Sequence, residues 1–160
     1  MSLAYVGVGS NLDGPQRHVT EALGELGAIP GTRTVKRSSL YRSAPVGYAA
    51  QPEFVNAVAA LETTLDPETL LGELQAIEAR HGRRRSFLNA PRSLDLDLLL
   101  YGEAEQRTAR LTLPHPRMHE RAFVLKPLVE LEPAIVIPGR GRAQDLLAAC
   151  AGQCVEITSG

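Results

Sequence analysis

Residues 93–101, SLDLDLLLY, restrict the fold more than any other stretch of the chain. Leu94, Leu96 and Leu98 alternate with Asp95 and Asp97, a period of two that suits a strand and not the buried face of a helix. In a strand the leucines meet a core, while both carboxylates share the other face with α-carbons about 6.6 Å apart. Taken alone, the acidic pair fits a solvated strand face as well as a ligand site, so its neighbours decide.

The elements around that strand follow from caps and periodicity. Residues 3–9 read as a first strand. Ser10, Asn11, Asp13, Gly14 and Pro15 then turn into a helix patterned by Val19, Leu23 and Leu26 and ending near Gly27. Residues 35–42 and 54–61 are strand-prone and flank a loop holding Pro45, Gly47 and Pro52. Asp66, Pro67 and Glu68 supply a cap, a first-turn proline and an acid at the positive helix end. Leu70, Leu74 and Ile77 make the buried stripe of that helix, and Gly82 is its stop. The order βαββαβ predicts an α+β fold with a ferredoxin-like core, a mostly antiparallel sheet with helices packed on it. C-terminal helical additions are expected at 114–131, in two pieces broken at Pro127, and at 143–149.

With 44% apolar and 22% charged residues, residues 1–160 are expected to form a single domain around one core. No apolar run approaches the roughly 20 residues of a membrane span, and the first residues lack the pattern of a signal peptide, so a cytoplasmic protein without membrane association is expected. Cys150 and Cys154 are too few for a disulfide framework or a four-ligand zinc site and are read as free thiols. The net charge of −1 argues against a general grip on nucleic acid. Its distribution is uneven: residues 80–121 hold nine arginines against five acids. A basic centre in an otherwise acidic chain points to a local anionic ligand.

Arg80, Arg83, Arg84, Arg85 and Arg92 precede the acidic strand with no acid among them. Guanidiniums beside paired carboxylates are what phosphoryl transfer needs, because two divalent cations held by the acids clamp the reacting oxygens while arginines hold phosphate. Phe87, Leu88, Asn89 and Ala90 lack periodicity and are read as a lid. Gln75 and Glu78, three apart on the Asp66 helix, are expected on one side of it, where they can hold a base or ribose. His115 sits between Pro114 and Pro116, shortly after Arg110 and before Arg121 and Phe123. His115 and His119 make a poor zinc pair, so an imidazole on phosphate is the better reading. Gly7, Gly9 and Ser10 do not extend to GxGxxG, and no GxxxxGK[ST] occurs.

The segments VGVGSNLDGP, SSLYRSAPVG, QPEFVNAVAALET, PRSLDLDLLLYG and LTLPHPRMHERAFVLKPL occur in that order. Together they resemble the 6-hydroxymethyl-7,8-dihydropterin pyrophosphokinase family, over residues 4 to about 147. The resemblance implies transfer of pyrophosphate from ATP to the pterin hydroxymethyl group in folate biosynthesis, with release of AMP. It implies that Asp95 and Asp97 hold two magnesium ions and that Arg83, Arg85, Arg92, Arg110, His115 and Arg121 surround the triphosphate. Gln75 and Glu78 would position the nucleotide. Asn56 would pair with a pterin stacked between Phe54 and Phe123, and Ser43, Ala44 and Val46 would meet its polar edge through backbone groups. Phe54 and Asn56 independently fall on one strand face, as a flat heterocycle requires. Many relatives carry a basic residue and an aromatic ring where this chain has Leu88 and Asn89, and some carry tyrosine in place of Pro116.

Two other readings compete. A different two-metal phosphotransferase would move only the terminal phosphate and leave ADP. A noncatalytic ferredoxin-like nucleic-acid module is disfavoured by only seven aromatic residues and by the lack of an RNP1-like run. The partners expected are ATP and the pterin alcohol, the chain acting as a monomer without nucleic acid.

Overall fold

The computed structural model describes residues 1–11, 14–43, 53–82 and 94–158. Among these, β1 (Ser2–Ser10) is followed by α1 (Pro15–Leu26), β2 (Thr32–Arg37), β3 (Tyr41–Ser43), β4 (Phe54–Thr63), α2 (Pro67–Arg80) and β5 (Asp95–Tyr101). The main sheet runs β10-β3-β4-β1-β5, where β10 is the last strand, Val155–Ile157, with β2 also on β4, and every pair in it is antiparallel. This is the α+β, ferredoxin-like order with two short strands standing where one was expected.

Residues 35–42 split because β4 is longer than either partner. β2 covers its C-terminal half, Ala59–Thr63, and β3 its N-terminal end, Phe54–Asn56. At the junction Ser38 donates its N–H to Val58 O at 2.9 Å, and its Oγ accepts from Val58 N at 2.9 Å. A side chain thus completes a ladder that the backbone breaks, as buried peptide groups require.

α2 begins as its sequence directs. Asp66 accepts from Thr69 N–H at 2.7 Å, Pro67 takes the first helical position and Gly82 follows the helix at φ 75. That bond holds the Asp66 carboxyl below its ordinary value. α1 and α2 cover one face of the sheet, where Val19, Leu23 and Leu26 join Leu70, Leu74 and Ile77 over Val6, Val8, Leu61, Leu96 and Leu98. His18 Nδ1 and His81 Nδ1 lie 2.7 Å apart at the ends of these helices, with His81 Nε2 2.5 Å from Glu25.

The opposite face meets α3 (Ala122–Leu131), which lies over Tyr5, Val58, Ala60 and Leu99. A register shift between Tyr5 and Val6 leaves Leu99 as an extra residue in β5, so Leu99 and Leu100 both reach this second core. The expected break at Pro127 is not where the chain breaks: Pro127 lies inside α3, and the interruption falls at Arg121, after a 3-10 turn Met118–Glu120. Pro127 withholds one N–H from Phe123 O, a loss that a short helix packed on a sheet tolerates. α4 (Ala143–Ala148) is the last helix, as expected. The short strands β6 (Gln106–Arg107), β7 (Thr112–Leu113), β8 (Val136–Ile137), β9 (Gly141–Arg142) and β10 (Val155–Ile157) were not legible in the sequence. No helix among the described residues is long and apolar enough to cross a membrane.

Candidate active site

The α3 side of the sheet is covered only in part. Beyond Tyr5, Val58 and Leu99 the same face continues as Gly7 and Gly9 on β1, Asn56 on β4, and Asp95 and Asp97 on β5. Directly opposed residues of an antiparallel pair share a face, and two rows result. Asn56, Gly9 and Asp95 form one, and Val58, Gly7 and Asp97 the next. Both aspartates are half-buried, while Leu94, Leu96 and Leu98 face the other core as the alternation predicts.

Glycine is required in the middle of these rows because the neighbours fill the space above it. A Cβ on Gly9 would stand 3.0 Å from Asn56 Oδ1, and one on Gly7 would stand 3.4 Å from Leu99. The two glycines make a bare floor between the amide and the carboxylates. Their signal in the sequence was a glycine inside a strand, a mark of close approach, and not a nucleotide loop.

Asn56 is buried and its Nδ2 donates to Ser43 Oγ at 2.6 Å. Ser43 therefore acts through its hydroxyl, orienting the amide, and Phe54 is its partner across the strands. β3 is itself anchored from α3. Glu130 accepts from Tyr41 OH at 2.6 Å, Ser39 N–H at 3.1 Å and Ser39 Oγ at 3.0 Å. Burial first and the Glu130 carboxylate second raise the Tyr41 phenol far above its ordinary value.

On the other side of the aspartates stand His115 and Arg121. His115 N–H donates to Leu99 O at 2.9 Å, and His115 Nδ1 accepts from Arg117 N–H at 3.1 Å, so a neutral ring presents Nε2–H. Burial lowers the titration of His115, with Arg121 and Arg117 adding to the effect and the charge of Asp97 opposing it. Burial likewise lowers that of Arg121, against the charges of Asp97 and Asp95. The Arg121 guanidinium lies 5.5 Å from the centre of the Phe123 ring. The charge of Asp97 thus acts on both His115 and Arg121, and that of Asp95 on Arg121.

A cleft of about 230 Å³ opens next to Asp97, between Leu71, Leu98, Thr112, Arg110, His115 and Pro116. Arg110 lines this cleft, whereas Leu71, Leu98 and Thr112 were not singled out from the sequence as site residues. Gln75 is exposed one turn beyond Leu71 on α2. Glu78 does not share its side as expected: it is buried, and its Oε2 accepts from Leu96 N–H at 2.8 Å. Leu96 stands between the two aspartates, so Glu78 fixes the strand that carries them. Ala44, Val46, Arg83, Arg85 and Arg92, with the expected lid, lie outside the described residues.

Residues 5–133 match the sequence profile of 7,8-dihydro-6-hydroxymethylpterin-pyrophosphokinase, HPPK. The chain belongs to the HPPK family. A 2-amino-4-hydroxy-6-hydroxymethyldihydropteridine pyrophosphokinase of Pseudomonas aeruginosa is 47% identical over 156 residues, covering 98% of this chain and 96% of that protein. The protein of the same name from Bacillus subtilis is 39% identical over 130 residues, covering 81% of this chain and 78% of its own. The solved wild-type HPPK-DHPS of Plasmodium falciparum superposes with a TM-score of 0.70 at 12% identity, over 93% of this chain and 43% of that one. The chain thus spans less than half of that solved structure, and the likeness there concerns the HPPK fold.

The donor set of this HPPK-family chain suits magnesium. Among the described residues no group of three or more His, Cys, Asp or Glu side chains is placed to hold a metal. Two half-buried carboxylates on one strand face, opposite cationic and neutral hydrogen-bond donors, match an ion that keeps water and takes its remaining ligands from substrate phosphate.

Proposed function

We propose that this chain transfers the pyrophosphoryl group of ATP to the hydroxymethyl oxygen of 6-hydroxymethyl-7,8-dihydropterin, releasing AMP, in folate biosynthesis. The observation that carries the reading is the row Asn56, Gly9, Asp95, which sets a buried amide and a half-buried carboxylate on either side of a glycine. The pterin lies on the Asn56 side, paired through the amide that Ser43 orients and stacked by Phe54 and Phe123. ATP enters from the other side, its base in the cleft bounded by Leu71, Leu98 and Thr112 and its phosphates toward His115, Arg110 and Arg121. The two substrates then meet over Gly7 and Gly9, beside the aspartates.

Asp95 and Asp97 would hold two magnesium ions, which when bound neutralise the phosphate oxygens and orient the polyphosphate for attack at the β-phosphorus. The chain's own groups supply the rest. Arg121 places a cation where negative charge grows, and the neutral His115 donates through Nε2–H to a phosphate oxygen. Glu78 keeps β5 in register, so that both carboxylates hold their direction. On the family's pattern Arg83, Arg85 and Arg92, which lie outside the described residues, would also bind phosphate. Cys150 and Cys154 are free thiols, which supports a cytoplasmic setting.

Incubation with ATP, magnesium and the pterin alcohol tests the reaction in one step. AMP and the pterin diphosphate are expected in equal amounts, separated by chromatography. ADP and a pterin monophosphate would establish the rival phosphotransferase, and absence of any pterin product would overturn both.

A further inference from the structure

Arg121 occupies a position with two conflicting demands. It is the residue that begins α3, at φ −117 and ψ 108, and its side chain makes no capping bond. An arginine has five donors and no acceptor, so it cannot satisfy the first N–H groups of a helix as serine or aspartate would. Its guanidinium lies against the Phe123 ring and within electrostatic reach of Asp97 and Asp95. The acceptor that the helix lacks comes from elsewhere in the chain.

That acceptor is Gln153, in the turn between α4 and β10. Its Oε1 accepts from Ala122 N–H at 2.9 Å, and its Nε2 donates to Glu120 O at 2.8 Å. These two groups belong to the peptide planes on either side of the Arg121 α-carbon. One side-chain amide therefore pins both planes and with them the direction in which Arg121 leaves the backbone. The segment holding Gln153 is itself tied down: Gln153 N–H donates to Cys150 O at 2.9 Å, and Lys126 Nζ donates to Val155 O at 2.8 Å. Val155 pairs with Ser43, the residue that orients Asn56. One short stretch of chain thus braces both the phosphate side and the pterin side of the site.

We propose that Gln153 is a positioning residue for pyrophosphoryl transfer, holding Arg121 in its reactive direction by bridging the peptides that flank it. The inference rests on the functional reading above, in which Arg121 meets the transferring phosphates. Its rival is a plain helix cap that contributes stability alone.

Steady-state kinetics with ATP, magnesium and the pterin, paired with thermal melts, separate the two. Gln153→Ala should lower kcat by about 10- to 100-fold while the KM for ATP stays within about twofold. Gln153→Glu keeps an acceptor for Ala122 N–H at a favourable helix end but gives up the donor to Glu120. Its Tm should match or exceed that of the wild type while kcat stays at least about tenfold low, and this variant carries the test if Gln153→Ala does not fold. In an Arg121→Ala background the Gln153→Ala change should cost nothing more, since a residue acting through another has no separate effect. A Gln153→Ala variant with wild-type kcat, a full recovery of kcat in Gln153→Glu, or losses that multiply in the double variant would each overturn the proposal. These outcomes, beside a wild type that does make AMP, leave the functional reading standing. A wild type that makes no AMP would overturn that reading, and this inference with it.

Discussion

One face of the central sheet is apolar through its middle, whereas the other changes character halfway along. Under α1 and α2 the inward residues Ala4, Val6 and Val8 of β1, Val55, Ala57, Ala59 and Leu61 of β4, and Leu96 and Leu98 of β5 are small or branched hydrocarbons, with the buried hydroxyls of Ser10 and Thr63 only at the strand ends. Under α3 the same arrangement holds as far as Tyr5, Val58 and Leu99 and then gives way to Gly7, Gly9, Asn56, Asp95 and Asp97. α3 starts only at Ala122, so its helical cover ends where Arg121 and His115 face the aspartates. Polar groups are tolerated on this surface because the aspartates are only half-buried and the buried Asn56 amide is hydrogen-bonded to Ser43, while the packed face opposite supplies rigidity. Stability and chemistry are thereby divided between the two sides of the same three strands.

The sharpest way to break that division is Asp97→Ala. Turnover should fall by at least about 10³-fold, while the melting temperature stays within a few degrees of wild type, because a half-buried carboxylate leaves no core cavity when truncated. A folded variant that keeps its rate would remove the strand face from catalysis. The converse change is Leu74→Ala, behind the sheet and fully buried. It should cost about 2–5 kcal/mol in denaturant unfolding, with kcat of the folded fraction unaltered. Should kcat fall instead with stability intact, the two faces would not be independent.

Gly9→Ala probes the seam between the site's halves. Its methyl would meet Asn56 Oδ1 at 3.0 Å and turn the amide from Ser43, so the KM for the pterin should rise roughly tenfold with little change for ATP. Equal effects on both substrates would count against placing the pterin beside Asn56. The smallest effect belongs to Tyr41→Phe, which removes one of several bonds to Glu130 and should cost about 1 kcal/mol. The folded-state pKa of Tyr41 is raised, so the stability it contributes is fully present below the unfolded value of about 10 and lost as pH rises through the folded one. Wild type should therefore lose stability above that pH, and Tyr41→Phe should lose less. Parallel curves would show that the phenol does not contribute in this way.

Most of what the local pattern encodes can be read without coordinates. The alternation at 94–98 gives the faces of β5, and Asp66, Pro67 and Gly82 mark the ends of α2. The HPPK motifs name the chemistry. Each is a short-range effect, written in residues a turn or a strand apart. The split of 35–42 into β2 and β3 was not legible, because it depends on the length of β4 and on a bond from Val58 to Ser38. Nor was the inward turn of Glu78, since helix periodicity places it beside Gln75 and only the approach of β5 supplies Leu96 N–H as its partner. The actual start of α3 was hidden for the same reason: Pro127 is the strongest local breaker, yet packing on the sheet keeps it helical.

By itself, then, the amino-acid sequence determined the order of the core elements, the facing of the paired acids and the family. Tertiary structure alone decided that Gly9 lies between Asn56 and Asp95, that Ser43 steers an amide, and that Gln153 serves a helix whose N-cap position is taken by Arg121. The physical reason is range: backbone propensity and side-chain periodicity act over a few residues, whereas a hydrogen bond between positions 31 residues apart, such as Ala122 and Gln153, exists only once the chain has closed on itself.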